Sequence, residues 1–77
     1  MSYEALRAQL DVRPFRPFRA VTSSGESYEV RHPEMALVTK TELVVALPDD
    51  DGVPSRLRII STLHVTALEP IDPAGVS

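Results

Sequence analysis

Pro14 and Pro17 stand three residues apart in the run Arg13-Pro14-Phe15-Arg16-Pro17-Phe18-Arg19. No other feature constrains the fold as strongly. A proline has no N–H to give to a helix, and it pushes the residue before it out of the helical region. A helix that begins near the N-terminus must therefore end by Val12, and the connector 12–17 must be extended. The residues before the prolines read as one short helix, 3–11. Ser2 can cap it, and Glu4 lies in its first turn, where the helix dipole favours an anion. Tyr3, Leu6 and Leu10 recur at helical spacing, and Ala5 and Ala8 are strong helix formers. A helix of about ten residues is marginal alone. Its apolar stripe must dock on the rest of the chain or on another subunit.

Beyond the prolines every segment reads as strand. Phe18–Ser23 runs into a turn at Ser24-Gly25-Glu26, where Gly25 can take a positive φ. Ser27–His32 returns, with Tyr28, Val30 and His32 on one face and Ser27, Glu29 and Arg31 on the other. His32-Pro33-Glu34 breaks that strand. Met35–Thr39 and Leu43–Leu47 follow, joined by the polar link Lys40-Thr41-Glu42. A polar loop from Pro48 to Pro54 holds Asp49-Asp50-Asp51-Gly52. In Arg56–Ile60 the Arg residues are expected outward, with Leu57 and Ile59 inward. Ser61–His64 reads as a turn, with room for one 3₁₀ turn, and Val65–Leu68 as a last short strand. Pro70, Pro73 and Gly75 mark 70–77 as a frayed tail.

The chain has 77 residues, with no Cys and no Trp. Two cores would each fall near or below the roughly 40 residues at which chains fold unaided, so 1–77 is read as a single domain. No disulfide or thiolate metal site can be made. An apolar fraction of 43% is ordinary for a folded domain. No run approaches the ~20 apolar residues of a membrane span, and the N-terminus lacks a signal-peptide pattern. No membrane association and a cytoplasmic location are therefore expected. The net charge of −3 is uneven. Residues 1–31 hold five Arg against four acids, and residues 32–77 hold three bases against seven acids. Nucleic-acid binding would thus need a local patch. Seven of the eight bases are Arg, whose planar fork suits specific pairing.

Many short strands at close spacing suggest a small closed barrel over 18–69, because closure removes edges that invite aggregation. The fold class expected is α+β, mainly β: a short N-terminal helix followed by a five- to six-stranded antiparallel barrel. This plan resembles the Sm-like domains, including the bacterial Hfq proteins. The ending Arg58-Ile59-Ile60-Ser61-Thr62-Leu63-His64-Val65-Thr66-Ala67-Leu68 is similar to the close of SH3-like and Sm-like barrels, where a 3₁₀ turn leads into a final strand. The resemblance implies a ring-forming assembly. The lysine of the Hfq lysine-histidine signature has no counterpart here, and the chain contains no Asn, so the likeness is one of architecture. The chain also resembles a set of small bacterial proteins in two strings. One is Arg-Pro-Phe-x-Pro-Phe-Arg, at Arg13–Arg19, and the other is Tyr-Glu-Val-Arg-His-Pro-Glu, at Tyr28–Glu34. That resemblance implies no activity and no catalytic residues.

Four constellations carry chemistry. The Tyr28–Glu34 block can be a recognition site, with Arg31 and His32 at a strand end tuned by Glu29 and Glu34. Its structural alternative is a His-Pro corner with charges paired across strands. His32 and His64 are the only imidazoles, and no spacing matches a metal-ligand motif, so no metal is expected. Several Ser and Thr residues could serve as nucleophiles, but no strained elbow presents one, so no enzyme activity and no cofactor are expected. Asp49–Asp51 fails the EF-hand pattern and reads as a solvated loop. In 13–19, Arg interleaved with Phe can stack on and pair with single-stranded nucleic acid, and Pro14-x-x-Pro17-x-Arg19 has the form of a polyproline ligand. Against both, Phe15 and Phe18 can be core anchors, with the Arg residues bonded to acids such as Glu29 or Glu69.

The function expected from the sequence is a non-catalytic binding or assembly module that self-associates through strand edges, with a ring as one form. The alternative is an RNA- or DNA-binding protein. The candidate ligand residues are Arg13, Phe15, Arg16, Arg19, Arg31 and His32.

Overall fold

A computed structural model describes residues 1–71. The helix α1 spans Tyr3–Asp11. Ser2 caps it, its hydroxyl accepting from the Ala5 N–H at 3.1 Å. Leu6 and Leu10 are its buried positions, as the spacing predicts. At its far end the Arg13 guanidinium turns back and donates to the Leu10 and Val12 carbonyls at 2.8 and 2.9 Å. A cation is thereby placed on carbonyls that a helix end leaves without partners.

Six strands follow: β1 Phe18–Thr22, β2 Ser27–Val30, β3 Ala36–Val38, β4 Glu42–Pro48, β5 Pro54–Ser61 and β6 Val65–Pro70. They form two antiparallel three-stranded sheets, ordered β2-β1-β6 and β3-β4-β5. The fold is thus α+β and mainly β, but the hydrogen-bonded ladder does not close into a barrel. One physical reason is visible between β2 and β3. Pro33 supplies no N–H to a ladder, and Pro33–Met35 winds into a 3₁₀ turn. A second 3₁₀ turn, Thr62–His64, separates β5 from β6.

The β1–β2 hairpin turns where the sequence predicts. Gly25 has φ +90°, and its N–H donates to the Thr22 carbonyl at 2.9 Å. The β4–β5 hairpin is closed by the acidic run itself. Gly52, at φ +81°, donates to the Asp49 carbonyl, and an Asp51 carboxylate oxygen accepts from the Val53 N–H at 3.0 Å. Pro70, expected to open a frayed tail, is instead part of a strand. β6 runs through Pro70, and the Ile71 N–H donates to the Pro17 carbonyl at 3.0 Å. The remainder of that expectation, 72–77, lies outside the described residues.

The core lies between the sheets, with α1 laid across it. It holds Leu6 and Leu10 from α1, Phe18 and Ala20 from β1, Val30, Val38, Leu43 and Val45, then Ile60 and Val65. The expected orientation of β5 is reversed. Leu57 and Ile59 are 65% and 62% exposed, while Ile60 is buried. Cross-strand pairing sets the phase: Leu43 faces Ile60, and Val44 faces Ile59. The Arg residues therefore share the inner face with Ile60. Where the core runs out, Arg58 covers the Tyr28 ring, 5.9 Å from its centroid. His32 also departs from the expected strand. β2 ends at Val30, and His32 is exposed.

If docking rather than propensity holds α1, Leu6→Ala should cost about 2–5 kcal/mol, whereas Ala8→Gly on the exposed helix face should cost only about 1 kcal/mol. Urea titrations followed by circular dichroism measure both, and equal losses would contradict the docking account.

Candidate functional site

The outer face of the first sheet carries a cluster of charges built by strand register. Arg19, on the central strand β1, lies opposite Glu29 on one side and Glu69 on the other. Its Nη2 donates to Glu29 Oε2 at 3.1 Å, and its Nη1 lies 3.7 Å from Glu69 Oε1. Arg31 approaches Glu29 from along β2. Its Nε and Nη2 reach Glu29 Oε1 at 3.2 and 3.0 Å. Both oxygens of Glu29 are thus engaged by guanidinium donors. The Glu29 carboxyl titrates below its ordinary value, chiefly because Arg19 donates to it. Partial desolvation works the other way, and the Arg31 hydrogen bond and positive charge add to the lowering.

The predicted site residues do not share one role. Arg13 is committed to the end of α1, and Arg19 and Arg31 are committed to Glu29. Phe18 is buried. Phe15 packs half-buried beside it, with ring centroids 6.1 Å apart and planes tilted by 59°. Arg16 is exposed and makes no ion pair among the described residues. A phosphate contact from Arg13, Arg19 or Arg31 would have to share or displace an existing partner.

Arg31 and His32 do meet in one place. With Glu29 they line a cavity of about 350 Å³, whose other walls are Met35, Ala46, Leu47, Pro48 and Gly52. The sequence singles out the Arg31-His32 pair but not the apolar wall. Met35 of that wall follows His32 closely in the chain, but Ala46, Leu47, Pro48 and Gly52 come from the distant β4–β5 hairpin. Periodicity within one segment cannot reveal such a juxtaposition.

Elsewhere, Ser23 Oγ and His64 Nδ1 are 3.3 Å apart at the surface. Among the described residues no carboxylate bonds the other ring nitrogen of His64, so the pair lacks the orienting third group of a nucleophilic triad. Among the described residues, too, no group of three or more His, Cys, Asp or Glu side chains could hold a metal ion. No described helix is long and apolar enough to cross a membrane.

No family model, curated protein or solved structure matches this chain.

The lowered titration of Glu29 has a stability consequence. A carboxyl lowered in the folded state adds stability that is present above its ordinary titration range. That stability is lost as pH falls through the lowered value. Because the cluster is half-exposed, Glu29→Gln should cost no more than about 1 kcal/mol at neutral pH. The difference from wild type should shrink as pH falls through the carboxylate range. Thermal melts across that range check this, and a gap that widens toward acid would contradict it.

Proposed function

We propose that this chain is a non-catalytic assembly and binding module that joins copies of itself through the free edge of β5. The carrying observation is the combination of unpaired backbone and exposed apolar surface on one strand. β5 is eight residues long and ends its sheet. Leu57 and Ile59 stand on its outer face, next to the exposed Leu37 across β4. A long edge strand with apolar side chains is a template for pairing unless something covers it.

An edge of the first sheet supports a cyclic form. β6 ends the first sheet, as β5 ends the second. Pairing β5 of one copy with β6 of the next is a head-to-tail contact, which closes into a ring when the rotation permits. The Sm-like resemblance favours the same reading. If β2 and β3 are the two halves of one bent strand interrupted at Pro33, the six strands reduce to five. The 3₁₀ turn before β6 then falls where that plan has one. Bacterial origin, an SH3-like or Sm-like roll and self-association make one consistent proposal.

Multi-angle light scattering at tens of micromolar, a range that detects moderately strong self-association, should give a discrete multiple of the 8.5 kDa chain mass. The double variant Leu57→Glu, Ile59→Glu should run as a monomer with its melting temperature retained, since neither side chain is in the core. A wild-type monomer throughout this range would overturn the proposal.

A further inference from the structure

We infer that the cavity between the end of β2 and the β4–β5 hairpin binds a small organic carboxylate with an apolar body. The cavity, about 350 Å³, sits at the lower end of the range for small-molecule sites. Its walls divide by chemistry. Met35, Ala46, Leu47 and Pro48 form an apolar side, and Arg31 and His32 stand at the polar side with Glu29. An apolar wall with a few convergent polar groups is the general form of a ligand site.

The sign of the ligand's charge follows from how Glu29 is used. Its two oxygens already accept from Arg19 and Arg31, so it has little acceptor capacity left for an incoming donor. Among the described residues, Glu29 and Arg31 are the only acid and guanidinium that line the cavity, and Arg19 bonds Glu29 from outside it, so the Glu29 charge is already met by guanidinium donors. Arg31 spends Nε and Nη2 on Glu29, and its Nη1 has no hydrogen-bond partner among the described residues. His32 adds ring nitrogens that no described residue bonds. The free donors at the polar end therefore match an anionic oxygen pair. Arg suits a carboxylate because its planar fork presents donors at the right spacing. The aspartates of the hairpin turn do not line the cavity, although Pro48 and Gly52 on either side of them do. Their negative charge beside the rim disfavours a dianion. A single carboxylate on an aromatic or branched aliphatic body fits best.

The inference does not depend on self-association and is tested on the protein as it exists. Naphthylacetate serves as the probe, with naphthylethanol and naphthylethylamine as its neutral and cationic counterparts. Binding is followed by NMR shifts of the Met35 and Ala46 methyls and the Arg31 Nε–H. The acid should bind with a dissociation constant of about 1 mM or tighter, a modest affinity for a preformed site. The alcohol should bind at least about tenfold more weakly, the scale expected when a charge-assisted hydrogen bond is lost. Arg31→Gln should weaken the acid by a similar factor. Arg19→Gln removes the other partner of Glu29 from outside the cavity and should change binding by no more than about twofold. Met35→Ala should weaken acid and alcohol alike.

Three results would each overturn the inference. One is no shift up to about 10 mM acid, which is beyond useful affinity. Another is equal binding of acid and alcohol, or preference for the amine. The third is an equal loss in Arg19→Gln and Arg31→Gln, which would mean that the charge cluster acts only by holding the fold.

Discussion

The alternation of β1 is the constraint on which the rest of the structure depends. One face of the strand buries Phe18, Ala20 and Thr22, and the other presents Arg19 between Glu29 and Glu69. Phe18 is the largest fully buried side chain among the described residues. The prolines deliver it there, because the extended connector places Phe15 against it and lets Ile71 bond back to Pro17. With β1 seated, β2 and β6 can pair on either side and Glu29 is fixed beside Arg31. The polar end of the cavity is therefore a consequence of the same register that fills the core.

A short core makes the remainder intelligible. The inner face of β5 is apolar only at Ile60, and farther along it Arg58 lies over Tyr28 instead of a packed interior. The sheet β3-β4-β5 extends past the core it covers. That extension creates both unusual surfaces of the molecule. On one side is a cavity walled by Met35 and Leu47, and on the other is the exposed row of Leu37, Leu57 and Ile59. Two separate surfaces of this kind suit a module that assembles through one and binds through the other.

Much of the architecture was legible in the amino-acid order, and the failures have particular causes. Helix 3–11 is legible because a cap, a 3.6-residue stripe and a proline stop all agree. The turn at Gly25 follows from the need for positive φ, and Gly52, in the run read only as a solvated loop, takes one too. The facing of β5 could not be read in the same way. Ile59 and Ile60 are adjacent, so alternation allows two phases, and only the pairing with Leu43 and Val44 on β4 chooses between them. The pairing of Arg19 with Glu29 and Glu69 is one of three readings that the Arg-Phe run allows, since local sequence does not say which strands will be neighbours. Of the candidate ligand residues, Arg31 and His32 meet at the cavity, while Arg13 is drawn to the carbonyls at the end of α1. Most of the apolar half of the cavity was illegible because Ala46, Leu47 and Pro48 come from a separate hairpin.

The central claim is that the outer edge of β5 is where this chain meets a second copy. Hydrogen–deuterium exchange resolved to single amides, recorded over a range of protein concentrations, tests it most directly. Amides of β5 that point toward β4 should be protected at every concentration, since their partners lie within the chain. Amides of the same strand that point away from β4 should exchange freely in dilute protein and become protected as concentration rises. If those outward amides exchange freely at all concentrations, β5 is a bare edge and the assembly account is wrong.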